Sequence, residues 1–148
     1  MKNRPIHLSI PAKADYLDIV RSALYGVAIK YGFVFEEIED MKVAVTEACS
    51  NAILHAYEGD ADAGSVDITF LWNGEALVIT VRDYGNSNEH RGTETRTSII
   101  HQSPLSEVTA GGLGIFMMQA LMDEVEVSTE YGTEVVLTKR MSRSGELV

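Results

Sequence analysis

Cysteine is nearly missing from this chain of 148 residues: Cys49 stands alone, inside an apolar periodic segment. A lone thiol closes no internal disulfide, and the four histidines show no metal-ligand spacing, so the fold is expected to need neither a crosslink nor a structural metal. Long apolar runs are missing too. None reaches the roughly 18 residues of a membrane span, and none near the N-terminus reads as a signal peptide. The expectation is a cytoplasmic protein with no membrane partner. Positive charge is scarce, with 12 Lys and Arg against 22 Asp and Glu, a net charge of −10. Such a chain has no broad attraction for phosphate backbones, which argues against a nucleic-acid partner. If it handles a polyphosphate, backbone N–H groups and a metal must meet the anion locally.

What is present is an ordinary globular balance, 45% hydrophobic and 23% charged, with no repeat, low-complexity tract or convincing linker. Residues 1–148 read as a single domain, since domains commonly run to about 100–150 residues. Ile6 to Pro11 alternates as a short strand. From Asp15 the period changes, and Leu17, Val20, Leu24, Val27 and Tyr31 mark an amphipathic helix stopped by Gly32. A second helix is expected from about Glu36 to Tyr57, with Ile38, Met41, Val45, Ala48, Ala52 and Ile53 on its apolar stripe. Val66, Ile68, Phe70 and Trp72 alternate as a half-buried strand. Asn73-Gly74 then predicts a type I′ hairpin turn, and the return strand carries Leu77, Ile79 and Val81 on one face.

Tyr84 to Ala110 has no sustained period and reads as a long functional loop, a lid spanning about residues 84–113. Gly111-Gly112-Leu113-Gly114 opens a short helix through Ile115, Met118, Leu121 and Met122. Two strands follow, joined around Gly132, and a polar tail begins near residue 141. The fold class is α+β: two layers, a mostly antiparallel sheet with helices on one face.

Several residues break these patterns. Glu47, Asn51 and His55 recur at four-residue steps, drifting about 40° each around a helix. They form either a polar helix edge facing water or a carboxylate and amide aimed into a cleft. Asp83 shares strand parity with Leu77, Ile79 and Val81. It either turns outward as the strand ends or points its carboxylate to the buried face, where it needs donors and can accept from an amino group such as that of adenine. Gly85 would let a flat ring approach the backbone. Thr133 shares parity with Val135 and Leu137, so its hydroxyl can face the same pocket. Gly112, Leu113 and Gly114 at a helix start form either a flexible hinge or an anion site of unpaired N–H groups. Met117, Met118 and Met122 read as core filler.

No P-loop, dinucleotide fingerprint or nucleophile elbow occurs. The order that does occur is Glu47-x-x-x-Asn51 on a helix, Asp83-x-Gly85 after a strand, Gly112-x-Gly114 opening a helix, and Gly132-Thr133 between strands. From Ile10 to Lys139 this resembles the GHKL ATPase superfamily of gyrase, the heat-shock chaperone and the histidine kinases. The run Glu47 to Tyr57, with Gly111 to Gly114 and Leu121 to Val125, resembles the anti-sigma-factor serine-protein kinases of the RsbW type.

The resemblance implies the Bergerat, histidine-kinase-like ATPase fold, with ATP and Mg²⁺ as cofactors. It implies Asn51 as the Mg²⁺ ligand, Asp83 as the adenine acceptor supported by Thr133, and Gly112 and Gly114 as backbone contacts to phosphate oxygens. Glu47 would be the general base for a protein serine or threonine hydroxyl. A sigma factor and a STAS-type anti-anti-sigma protein are the implied partners, and a homodimer the implied assembly, with the first helix beside Tyr16 and Tyr25 as its surface. Two departures stand out. Ser87 replaces a glycine of the usual Asp-x-Gly-x-Gly box, and Ala110 stands where related kinases place an arginine. The γ-phosphate charge would then fall to Arg91, Arg96, a lysine or the partner. A nucleotide-gated binding module without phosphotransfer is the alternative. A histidine-kinase half is disfavoured, because no helix offers an exposed histidine with a dimerisation heptad.

Overall fold

The computed structural model describes residues 4–56, 64–85 and 112–142. Most of the expected lid and nearly all of the polar tail lie outside them. The element order is β1 (Ile6–Pro11), α1 (Leu17–Tyr31), α2 (Phe35–Asn51), β2 (Ser65–Trp72), β3 (Ala76–Asp83), α3 (Gly112–Leu121), β4 (Glu124–Ser128) and β5 (Thr133–Arg140). The strands form one sheet in the order β1-β2-β3-β5-β4, and every neighbouring pair is antiparallel.

Period-two alternation sets the faces of that sheet. Val66, Ile68 and Phe70 on β2, Leu77, Ile79 and Val81 on β3, and Val135 and Leu137 on β5 are buried. Their neighbours Asp67, Thr69, Val78, Thr80, Glu134 and Val136 are only half-buried. Among the described residues one face therefore carries the helices and the other carries none, the expected two-layer α+β arrangement. On the edge strand β1 only Ile10 is fully buried; Ile6 remains 41% exposed.

The β2–β3 turn differs from its expected form. Asn73 N–H donates to the Ala76 carbonyl at 3.1 Å, so the loop between them is Gly74-Glu75. Of these residues only Gly74 has a positive φ, +98°. Type I′ would need two such residues, whereas a turn with glycine first needs one. The cause is the Asn73 side chain, whose Oδ1 accepts from the N–H groups of Glu75 and Ala76 at 2.9 and 2.8 Å and so makes its own local turn.

Each helix is tied to the sheet at an end. At the close of α1, Gly32 adopts φ +95° and donates to the Ala28 and Ile29 carbonyls, a left-handed glycine stop. Tyr31 then stacks on Trp72 at 5.2 Å between ring centroids, and Phe33 meets the same indole edge-on at 5.7 Å. Val34 has no side-chain acceptor with which to cap α2. Glu37 does that work instead: its Oε1 accepts from Val34 N–H at 2.9 Å, and its Oε2 accepts from Ser142 N–H at 2.6 Å. One buried carboxylate thus joins the start of α2 to the chain beyond β5. At the far end of α3, Lys139 Nζ donates to the Leu121 carbonyl at 2.7 Å and pairs with Asp40 at 3.3 Å.

The stripe expected on α2 is buried as Ile38, Met41, Val45, Ala48 and Ala52, with Ile53 half-buried against it. On α3, Met118 and Met122 enter the core, but Met117 is 46% exposed beside Phe116. The buried stripe of α3 runs Gly114, Ile115, Met118, Met122, and position 117 falls off it.

Cys49 is fully buried in this core, and burial alone pushes its thiol from 9.0 up to about 12. In the unfolded chain the thiol ionises from about pH 8.5. The unfolded state therefore holds fewer protons than the native state above that point, and stability falls as pH rises toward 12. Urea titrations from pH 8 to 11 should show a Cys49-dependent loss of up to about 1.4 kcal/mol per pH unit. A Cys49→Ala variant should lack that component, and identical slopes for both proteins would refute the assignment.

Candidate functional site

The site grows from the ends of the central strands. β3 continues to Asp83, which pairs in register with Thr133 on β5 and with Val66 on β2. Strand parity therefore turns its carboxylate to the helix-bearing face, where it is 1% exposed. The outward alternative does not occur. Asp83 Oδ1 accepts from the backbone N–H of Gly85 and of Thr133, each at 3.2 Å. Two backbone N–H groups, one just past the end of β3 and one on β5, thus fix the orientation of the buried carboxylate.

Gly132 closes the floor of this corner. It has φ +97°, and a Cβ there would collide with the Asp83 carbonyl oxygen and stand 3.1 Å from Oδ1. The turn before it also takes Tyr131 into the left-handed region at φ +55°. The β4–β5 connection is bent to let its backbone lie against Asp83. Nothing in the sequence disclosed this contact; only the glycine at a turn was visible.

A second corner is built by α2 and α3. Glu47 is half-buried on α2, and Gly114 near the start of α3 lies directly over it: a Cβ on Gly114 would stand 2.5 Å from Glu47 Oε2. Asn51, half-buried, is the last residue of α2. Beyond it Ala52–Ala56 form a π-helical turn that packs against β3. The π turn links the two corners, because it follows Asn51 directly and rests on the strand that ends in Asp83. Such turns concentrate at functional sites.

Gly85 lies beside Asp83, and Gly112, Leu113 and Gly114 open α3, as their motifs require. Arg91, Arg96 and Ala110 lie outside the described residues. A cation not singled out in the sequence approaches from α1, where Arg21 Nη1 lies 3.4 Å from Thr46 Oγ1, one residue before Glu47. On the sheet face opposite the described helices, Arg82 stacks over the Tyr84 ring at 5.1 Å and pairs with Glu134 at 3.5 Å. A hydrogen bond with Asp67 there raises the Tyr84 phenol above its ordinary value.

Residues 10–139 match the family model for the histidine kinase-like ATPase domain. Solved structures agree on the fold. The RsbU and RsbW domains of a Mycobacterium tuberculosis protein superpose with TM-score 0.68 at 23% identity, covering 95% of this chain and 33% of that one. The SiaB–SiaC complex from Pseudomonas aeruginosa gives 0.65 at 13% identity, covering 92% and 88%. Among curated relatives, the serine-protein kinase RsbW of Bacillus pumilus is 44% identical over 145 residues, 93% of this chain and 86% of the relative. RsbW of Bacillus subtilis is 40% identical over 150 residues, covering 96% and 90%. The chain belongs to the histidine kinase-like ATPase family and, within it, to the RsbW serine-protein kinases.

The Asp83 corner yields a stability prediction. Gly132→Ala combines a left-handed φ with a collision against the Asp83 backbone, so it should cost about 1–3 kcal/mol in urea unfolding. Gly26→Ala provides the contrast, because a Cβ there meets nothing within 4 Å. Unaltered stability of Gly132→Ala would contradict the described corner.

Proposed function

We propose that the chain is an anti-sigma factor and ATP-dependent serine/threonine protein kinase of a single 1–148 domain. It sequesters a sigma factor in one state and phosphorylates a STAS-type anti-anti-sigma protein in the other. The observation that carries the reading is the Asp83 carboxylate, buried at a strand end and held by two backbone N–H groups. A carboxyl group buried there with its oxygens fixed by donors suits an acceptor for the adenine amino group. Thr133 supports it from the facing strand, and Gly85 leaves room for the ring.

In this reading the phosphates lie toward α3, where the N–H groups of Gly112, Leu113 and Gly114 face the anion at the positive end of the helix. Mg²⁺ would be held by Asn51 and would neutralise charge on the phosphate oxygens. Ions of this kind at nucleotide sites commonly take few protein ligands, their shell being completed by phosphates and water. Glu47 takes the proton from the acceptor serine hydroxyl. The hydroxyl oxygen forms the bond to the γ-phosphorus, the bond from that phosphorus to the β–γ bridging oxygen breaks, and ADP leaves with the electron pair. Glu47 then releases its proton to water. One base and a set of fixed charges suffice, since phosphoryl transfer asks mostly for positioning and electrostatic stabilisation.

Homodimerisation through α1 is supported by its outward residues Ile19, Tyr25 and Ile29, which are 47%, 49% and 50% exposed. A cytoplasmic setting belongs to the same reading, since a sigma factor and ATP are met there. Among the described residues no helix is long and apolar enough to cross a membrane.

Incubation with radiolabelled Mg·ATP and a recombinant STAS-type antagonist should label that protein on serine or threonine. Glu47→Ala should slow labelling by about 10²–10⁴-fold. Asn51→Ala should abolish Mg²⁺-dependent ATP binding in calorimetry. Tight ATP binding with no protein ever labelled would replace the kinase reading with a nucleotide-gated binding module.

A further inference from the structure

Glu47 lies so near the backbone of Gly114 that position 114 has no room for a side chain. A Cβ on Gly114 would stand 2.5 Å from Oε2, 2.7 Å from Cγ and 2.9 Å from Cδ of Glu47. The end of the Glu47 side chain therefore occupies the volume that any side chain at 114 would need. Gly74 differs, since a Cβ there meets nothing within 4 Å and the glycine serves its turn.

Neither helix can readily move aside. α2 is fixed by Ala44, Val45, Ala48 and Cys49, all buried. α3 is fixed by Ile115, Met118 and Met122 in the core and by Lys139 on its last carbonyl. A methyl group at 114 would be relieved mainly by turning the Glu47 carboxylate away, because that side chain is half-buried and carries the freest torsions of the three parts.

We infer that Gly114 is a positioning residue for phosphoryl transfer, its missing side chain forming the socket that holds the Glu47 carboxylate. This role is additional to any contact its N–H makes with phosphate, and it rests on the reading of Glu47 as the base. A backbone N–H persists in alanine; the socket does not. The glycine thereby couples the start of α3 to the position of the base.

A double-mutant cycle on the full chain separates the two roles. Gly114→Ala should lower the rate of phosphoryl transfer to the STAS-type antagonist by about 20-fold or more, the loss falling mainly on kcat, as expected for a misplaced reacting group. In the Glu47→Ala background, where the socket is empty, the same substitution should change the residual rate less than about twofold. Melting gives a readout that does not depend on activity. Gly114→Ala should lower Tm by about 3 °C or more beside native Glu47. In the Glu47→Ala background that loss should vanish or turn into a rise of up to about 2 °C, because the three nearest obstructing atoms are gone and a helix prefers alanine to glycine. Failure of Gly114→Ala to fold, rescued by Glu47→Ala, is the same result in stronger form. Equal rate losses and equal Tm shifts in both backgrounds would overturn the inference and return Gly114 to a backbone role. Full transfer by Glu47→Ala itself would sink the base assignment, and the positioning role with it, whatever the melting cycle shows.

Discussion

The buried carboxylate of Asp83 constrains everything near it. A carboxyl group with 1% of its surface exposed is tolerated only where donors replace water, and here the backbone N–H groups of Gly85 and of Thr133 supply them. That requirement fixes the β3–β5 register at its last pair. It also obliges the turn before β5 to lie close against Asp83, which only glycine at 132 allows. Strand pairing, turn conformation and the orientation of the carboxylate are therefore one constraint seen from three sides. Among the described residues, the rest of the candidate site is carried by helices that pack on this sheet.

The same logic of small residues and fixed charges recurs across the helices. Glu37 supplies a helix cap that Val34 cannot, and Lys139 closes the last carbonyl of α3 while reaching α2 through Asp40. These ties place the stiff ends of α2 and α3 so that Glu47 and Gly114 meet. The meeting of Glu47 with Gly114 thus rests on core packing as well as on these ties, because Met41, Val45 and Met118 are buried between the helices and the sheet.

Much of this was legible in the sequence. The two periods located the strands and helices, and parity offered the buried face as one of two places for Asp83, with Thr133 toward the same pocket; the choice between them and the pairing of the two residues came from the β3–β5 register. The stripe from Glu47 to Asn51 was visible as polar residues beside an apolar seam. What stayed hidden depends on contacts between distant segments. Local sequence does not show that Gly132 lies against Asp83, that Gly114 makes room for Glu47, or that α2 widens into a π turn after Asn51. The turn at Asn73 was misplaced by one residue because the asparagine side chain competes with the backbone. Met117 was misassigned because hydrophobicity without phase does not say which side of a short helix is inside.

The outer rim of the sheet carries its own message. β4 shows Glu124, Val125, Glu126, Val127 and Ser128, with both glutamates exposed. A second copy laying its own β4 there, centred and antiparallel, would set Glu126 directly against Glu126, a like-charge pairing that opposes the ladder. Stacking of sheets into a fibre needs two receptive rims. A rim that refuses its own kind closes that route between two copies, and the acidic chain is less prone to join itself along this edge.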